Sequence, residues 1–298
     1  WYYIDRYDDP DTKIDELQYQ SWIGVRSLPE MRETERQHFD RLQAYEGDLF
    51  SESLKYHIFS VTKRWLDPNG DGDPSDGIDG FRLDVAAELP LGFWREYRAI
   101  AKGINPQAAL IGEIWWEKWP DDLLDPSPWL QGDVFDAVMN YRWYREARNY
   151  FAFAPDTTSP RSFVANVDSI YVNVDGPKRY ALMNMSASHD APRLATSFYN
   201  RGQYKVNTNP TADPFYKINK PDSATYGQMK LFLGHQFTFV GAPQIWAGDE
   251  MGMWGGDDPN CRKPLIWPDL QFDPETTHPN NFVFCFCFFF GFGYPALH

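Results

Sequence analysis

Short apolar runs that end in acidic residues recur along this chain, and they constrain its fold more than any other feature. G-F-R-L-D leads to Asp84, A-A-L-I-G-E to Glu113, N-M-S-A-S-H-D to Asp190, and A-P-Q-I-W-A-G-D-E to Asp249 and Glu250. The run V-F-D-A-V-M-N is a fifth candidate strand. Short buried strands that alternate with helical patterns are typical of parallel strands joined by crossovers. We therefore predict an α/β fold.

Two amphipathic helices are predicted around the first of these strands. Between Glu52 and Leu66, apolar residues recur at steps of three and four, which is the helical period. Pro90 is suited to open a second helix that ends near Gly103. The two predicted helices therefore precede and follow the strand around Phe81 in the sequence.

The spacing of the strands favours an eightfold barrel. Asp84 and Glu113 are 29 positions apart (113 − 84), about one strand–helix unit of a (β/α)8 barrel of roughly 250 residues. In such barrels the carboxyl ends of the strands build the active site. Several carboxylates at those ends therefore predict a catalytic centre.

Arg82 and Asp84 stand inside an otherwise apolar strand. Side chains alternate along a strand, so these two share one face, opposite Phe81 and Leu83. Charges leave water at a cost of several kcal/mol (order of magnitude), so this face must hold an ion pair or a polar cavity. A structural Arg–Asp pair and a catalytic pair both satisfy that requirement.

Hydrolysis of a glycosidic bond requires a proton donor and a carboxylate that faces the anomeric carbon. Asp84 suits the second role, because Arg82 would keep it ionised. Glu113 suits the first, because A-L-I-G and Trp115 provide apolar surroundings. The alternatives are a solvated strand-end glutamate for Glu113 and a helix N-cap for Asp190.

Trp115 follows the candidate acid directly, so we predict that it stacks on a sugar ring. Most other tryptophans in such a chain are expected to serve packing.

Several motifs together resemble those of one enzyme family. G-F-R-L-D-V-A, L-I-G-E-I-W, S-H-D-A-P-R and A-P-Q-I-W-A-G-D-E, in this order and spacing, resemble signature regions of the α-amylase family of glycoside hydrolases. W-L-Q-G-D-V-F-D-A-V-M-N-Y and G-D-E-M-G-M-W-G-G-D-D-P-N-C-R-K-P are similar to the neopullulanase, cyclomaltodextrinase and maltogenic amylase group. Ala87 stands where that group usually has asparagine, which leaves the bond preference open.

The resemblance implies a role for each candidate residue. It makes Asp84 the nucleophile, Glu113 the acid/base and Asp190 the carboxylate that stabilises the transition state. Arg82 and His189 match the positions that support the nucleophile and hold sugar hydroxyls. The family works with retention of configuration, through a covalent glycosyl-enzyme intermediate.

The resemblance also implies a domain organisation. Residues 1–50 correspond to the remainder of the loop-rich excursion after the third barrel strand. Residues 51–298 correspond to the C-terminal part of the catalytic (β/α)8 barrel, roughly strands 4 to 8. Y-P-A-L-H, at the end of the sequence, resembles the close of the family's last barrel helix.

The implied activity is cleavage of α-1,4-glucosidic bonds in maltodextrins, cyclodextrins or pullulan, so the partner is an α-glucan oligosaccharide or polysaccharide. One alternative on the same fold is a transglycosylase or isomerase, in which a sugar replaces water. Another is a non-catalytic carbohydrate-binding relative, which the presence of Asp84, Glu113 and Asp190 disfavours.

The loop D-P-N-G-D-G-D-P-S-D carries oxygen ligands at alternate positions: Asp67, Asn69, Asp71 and Asp73. That spacing is similar to a calcium loop, although Ile78 stands where a bidentate glutamate would be expected. A plain Asp/Gly turn is the favoured explanation of the pattern. We expect no required cofactor, with calcium as the one candidate ion.

A net charge of −14 argues against nucleic acid or an anionic membrane as a partner. The three cysteines show no zinc spacing and no disulfide framework. The sequence is compatible with a homo-oligomer. It does not distinguish a cytoplasmic from a periplasmic or secreted bacterial-type protein.

Overall fold

The computed structural model describes residues 1–35, 40–153, 158–174, 176–203, 205 and 207–265. The strands are β1 Ile4–Arg6, β2 Gln18–Tyr19, β3 Gly80–Leu83, β4 Ala109–Gly112, β5 Trp116–Lys118, β6 Asp122–Leu123, β7 Ala137–Val138, β8 Met183–Met185 and β9 Ala242–Gln244. The helices are α1 Glu52–Leu66, α2 Leu91–Ile104, α3 Tyr141–Phe153, α4 Pro160–Ile170, α5 Gly176–Arg179, α6 Leu194–Tyr199 and α7 Ser223–Thr238. The expected last barrel helix, near Y-P-A-L-H, lies outside the described residues.

All five predicted strands are present, as β3, β4, β7, β8 and β9. The chain divides into two units, residues 1–118 with 124–137, and residues 119–123 with 138–298. The predicted domain division after residue 50 stays a prediction. Across the part of the chain that the structure describes, the strands form separate small sheets and do not close a barrel.

In the first unit, β3 and β4 are parallel and in register, with Arg82 opposite Ile111 and Leu83 opposite Gly112. The strand order of this sheet is β3-β4-β7. Gly80 is required at its start, because a Cβ there would lie 2.1 Å from the Ala109 carbonyl oxygen. Adjacent parallel strands end at the same edge of the sheet, so the residues after β3 and β4 come together.

Helices α1 and α2 begin and end close to where the sequence predicts. Ser51 caps α1 by accepting from the Leu54 N–H at 3.2 Å, and Pro90 precedes α2. The buried face of α2 includes Phe93 and Tyr97, as its period indicates. On α1, the apolar stripe predicted by the period consists of Leu54, Ile58, Val61 and Trp65. Trp65 is nevertheless exposed, so periodicity alone does not identify the buried face.

In the second unit, β8 and β9 are parallel, with Met185 opposite Gln244. A buried amide network supports them. Asn140 Nδ2 donates to Asn184 Oδ1 at 2.8 Å, and Gln236 Nε2 on α7 donates to the backbone oxygens of Asn184 (2.7 Å) and Gln244 (2.9 Å). Through these bonds Asn140 contacts β8, and Gln236 contacts the backbone of both β8 and β9.

Among the described residues, no helix is both long and apolar enough to span a membrane.

Candidate active site

Arg82 and Asp84 lie at the carboxyl end of β3 and form an ion pair through Arg82 Nη1 and Asp84 Oδ1. The Asp84 side chain is 68% exposed, whereas that of Arg82 is 28% exposed. The predicted shared face is therefore confirmed, and it is not a closed interior. Asp84 is accessible to a ligand from solvent.

Glu113 follows β4, and its backbone N–H donates to the Leu83 carbonyl at 3.0 Å, which continues the pairing of the two strands. The Glu113 side chain is buried. Its Oε1 lies 2.8 Å from Arg82 Nη2, and its Oε2 accepts from the Val85 N–H at 2.9 Å. Arg82 thus contacts both candidate catalytic carboxylates.

The backbone at Val85 has the left-handed conformation, with φ of +49°. A β-branched residue in this region is strained, at a cost of roughly 1–3 kcal/mol. The left-handed turn accompanies the N–H contact with the Glu113 carboxylate. This strain therefore lies next to the candidate nucleophile, and the sequence does not reveal it.

The surroundings of Glu113 differ from those expected. Trp115 and Trp116 follow it closely, but its carboxylate oxygens contact a cation and a backbone N–H. Both contacts stabilise the charged form of a carboxylate. The local sequence indicates apolar neighbours in the chain and cannot show which polar groups the carboxylate contacts.

Trp115 is buried and stacks on Trp116, with ring centroids 3.7 Å apart and planes 17° apart. One face of the Trp115 ring is therefore covered by protein. Sugar stacking by Trp115 stays a prediction.

In the second unit, His189 and Asp190 follow β8. His189 Nε2 lies 2.9 Å from Asp190 Oδ2, and Arg262 Nη2 lies 3.4 Å from Asp190 Oδ1. The N-cap alternative for Asp190 is wrong, because α6 begins after Arg193, and Asp249 Oδ2 accepts from the Leu194 N–H at 3.3 Å. The Asp190 carboxylate instead belongs to a partly exposed, charged cluster.

Asp249, after β9, forms a buried ion pair with Arg193, with 3.2 Å between Nη1 and Oδ1. Burial raises the pKa of Asp249 to about 6, although Arg193 opposes the shift. Arg193 Nη1 also donates to the Ala247 carbonyl at 2.9 Å. The pair therefore joins the segments that follow β8 and β9.

Sequence reasoning did not assign a function to Arg193 or Arg262. Both lie within motifs that carry the family resemblance, Arg193 in S-H-D-A-P-R and Arg262 in D-P-N-C-R-K-P. Their place in those motifs was the available signal. Arg193 pairs with Asp249, 56 positions away, and Arg262 contacts Asp190, 72 positions away, so local spacing could not identify these two partners.

In the acidic loop, side-chain oxygens accept from the loop's own backbone N–H groups. Asp67 accepts from the N–H groups of Gly70 (2.8 Å) and Gly72 (3.1 Å), Asn69 from that of Asp71 (2.9 Å), and Asp71 from that of Asp73 (2.8 Å). The described residues contain no group of three or more acidic, histidine or cysteine side chains suited to a metal. Three of the four predicted ligands, Asn69, Asp71 and Asp73, each accept from the N–H two residues further on and so form Asx turns, whereas Asp67 accepts from residues three and five positions on.

Parallel strands that alternate with helices, with carboxylates at their carboxyl ends, place the chain in the α/β class, which includes the (β/α)8 barrels. The chain belongs to the α-amylase family, because residues 36–271 match the model of the α-amylase catalytic domain. Members of this family need no organic cofactor.

Curated relatives agree with this assignment. The chain is 31% identical over 272 residues to neopullulanase 2 of Thermoactinomyces vulgaris. The aligned region covers 91% of this chain and 36% of that protein. It is 35% identical over 214 residues to a cyclomaltodextrinase of Thermoanaerobacter pseudethanolicus, covering 72% of this chain and 30% of that protein. The chain thus spans about a third of the length of these relatives.

Solved structures agree in fold. A cyclomaltodextrinase superposes with a TM-score of 0.58 at 30% identity, covering 79% of this chain and 32% of that chain. The cyclic α-maltosyl-(1→6)-maltose hydrolase of Arthrobacter globiformis superposes with a TM-score of 0.64 at 23% identity, covering 90% of this chain and 47% of that chain. Together with the family, these structures imply a (β/α)8 barrel, of which strands 4 to 8 remain the predicted part.

Proposed function

We propose that this chain carries catalytic residues of a retaining hydrolase that cleaves α-1,4-glucosidic bonds in maltodextrins, cyclodextrins or pullulan. The observation that carries the proposal is the contact of Arg82 with both Asp84 and Glu113 at the ends of neighbouring parallel strands. The names of the relatives, neopullulanase and cyclomaltodextrinase, support the substrate class.

In the first step, the exposed Asp84 carboxylate attacks the anomeric carbon, and a bond forms between that carbon and a carboxylate oxygen. The glycosidic C–O bond breaks at the same time, and Glu113 gives its proton to the leaving oxygen. The ion pair with Arg82 holds the Asp84 carboxylate at the carboxyl end of β3, where the exposed side chain can reach a sugar.

In the second step, water attacks the anomeric carbon and releases the Asp84 carboxylate. Glu113 is now ionised and accepts the proton of that water. The contacts of Glu113 with Arg82 and the Val85 N–H support this ionised form. The first step instead requires the protonated form of Glu113.

The family resemblance supplies the roles of the remaining residues. We assign stabilisation of the transition-state charge to Asp190, and contacts with sugar hydroxyls to His189. The pair between His189 Nε2 and Asp190 Oδ2 orients both side chains and supports this assignment. Trp115 keeps its predicted sugar-stacking role.

The test is reducing-sugar release from cyclodextrin, pullulan and starch by the full-length protein and its D84N variant. We expect activity on at least one substrate, and a loss of at least about 10³-fold in D84N. D133N is a matched control, since Asp133 is a partly exposed acid in the same unit that pairs with Arg95.

Product analysis at high maltose distinguishes hydrolysis from transglycosylation, since longer oligosaccharides form only when a sugar attacks the intermediate. A wild type that binds maltodextrin and releases no sugar would contradict the catalytic proposal and favour a carbohydrate-binding relative.

A further inference from the structure

Both backbone polar groups of Asp190 have side-chain partners. Its N–H donates to Ser188 Oγ at 3.0 Å, two residues earlier. Its carbonyl oxygen accepts from the ammonium group of Lys205, which follows 15 residues later in the chain. The position of Asp190 therefore depends on a distant lysine as well as on its own strand.

Lys205 is itself held in place. Its Nζ lies 2.7 Å from Asp257 Oδ2, and the two side chains are only 10% and 12% exposed. An ion pair with so little solvent adds little stability, because desolvation offsets most of the attraction. The value of such a pair lies in the geometry that it imposes.

Asp257 is held from several directions. Thr208 Oγ1 donates to its Oδ2 at 3.3 Å, the Asp258 N–H donates to its Oδ1 at 2.8 Å, and its own N–H donates to the Thr208 carbonyl at 2.8 Å. These bonds leave the carboxylate little freedom to move. The Lys205 ammonium therefore sits on a rigid support.

A second contact holds the same segment. Cys261 Sγ donates to the His189 carbonyl at 3.0 Å, so two consecutive carbonyls, of His189 and Asp190, are held by residues from elsewhere in the second unit. Two residues distant in the chain, Lys205 and Cys261, thus hold the backbone of the segment after β8.

We infer that Lys205, supported by Asp257, is a positioning residue for the Asp190 carboxylate. The inference rests on the proposed function, in which Asp190 acts on the reacting sugar. Lys205 contacts the backbone of Asp190, so it acts through that residue. A displacement of about 1 Å at a catalytic group can reduce the rate about 10²-fold.

The experiment compares full-length wild type with K205M, D257N and the control K217M. Lys217 lies in the same unit and contacts the Tyr199 ring at 4.5 Å, so K217M removes a lysine without touching Asp190. Each protein is measured for kcat and KM on cyclodextrin, for its melting midpoint, and for hydrogen–deuterium exchange of the backbone amides of residues 187–193.

For K205M we expect kcat to fall about 10- to 100-fold while KM changes less than about threefold, because binding contacts remain. D257N, which keeps the lysine but frees it, should show a smaller fall. Exchange over residues 187–193 should be faster in K205M and D257N and unchanged in K217M.

A kcat for K205M within twofold of that for K217M overturns the inference, and so does unchanged exchange over residues 187–193. If K205M does not fold, D257N decides by the same two measurements. An inert wild type contradicts the proposed function instead, and the exchange result then decides separately whether Lys205 positions this segment.

Discussion

Arg82 Nη2 lies 2.8 Å from Glu113 Oε1, while the other terminal nitrogen of the same guanidinium contacts Asp84. One planar cation therefore bridges the candidate acid/base and the candidate nucleophile. The register of β3 and β4 makes this bridge possible, because it aligns the ends of the two strands.

Replacing Arg82 by lysine should reduce kcat/KM about 10²-fold, because an ammonium cannot hold two carboxylates in the fork geometry of a guanidinium. Initial rates on cyclodextrin measure the effect. R98K is the matched control, since Arg98 pairs with Asp136 in the same unit at 2.9 Å. Equal activities of R82K and R98K would show that the bridge is not needed.

Gly112→Ala should lower the free energy of unfolding by about 1–3 kcal/mol and reduce activity, because the new Cβ would lie 2.4 Å from the Phe135 ring, directly before Glu113. Gly103→Ala should instead raise stability by about 0.5–1 kcal/mol, since nothing lies within 4 Å of a Cβ at this position in α2. Denaturant titration measures both, and equal effects would contradict the packing argument.

His235 should make the protein less stable as the pH falls from about 6.5 to about 4. Burial among Trp143, Phe163 and Phe239 lowers the pKa of His235 to about 4, so within this range the unfolded chain binds a proton that the folded ring resists. The half-buried ring is partly screened, so we expect an effect of about 1–2 kcal/mol.

The H235F variant should not show this loss of stability at low pH. The H57F variant, at an exposed histidine on α1, should still show it. Melting midpoints between pH 4 and 7 test the difference. The raised pKa of Asp249 acts in the opposite direction over an overlapping range, since stability from that group is lost as the pH rises towards about 6. Parallel pH dependences for wild type and H235F would contradict the assignment to His235.

Removing divalent cations should leave the melting midpoint unchanged, because the side-chain oxygens of the acidic loop cap backbone N–H groups. D67A should lower stability by about 1–3 kcal/mol, because Asp67 is buried and two N–H groups would lose their acceptor. D71A, at an exposed position, should have a smaller effect. A midpoint that falls in chelator and recovers with calcium would instead support a bound calcium ion.

The local sequence was sufficient to predict the elements around the candidate site. Five apolar runs became five strands, and the helical period placed α1 and α2, because strand and helix patterns are set by backbone geometry over a few residues. The alternation of Arg82 and Asp84 placed both on one face. The family motifs are the source of the roles that we propose for Asp84, Glu113 and Asp190.

Only the tertiary structure showed what these residues contact. Trp65 lies in the apolar stripe of α1 and yet is exposed. The helical period shows that such a stripe exists, but it does not show which part of the stripe another element covers. No local sequence pattern predicts the left-handed backbone at Val85 or the hydrogen bond from Lys205 to the Asp190 carbonyl. The contacts of Val85 with Glu113 and of Lys205 with Asp190 join residues 28 and 15 positions apart. The fold of the chain between such residues decides which groups meet.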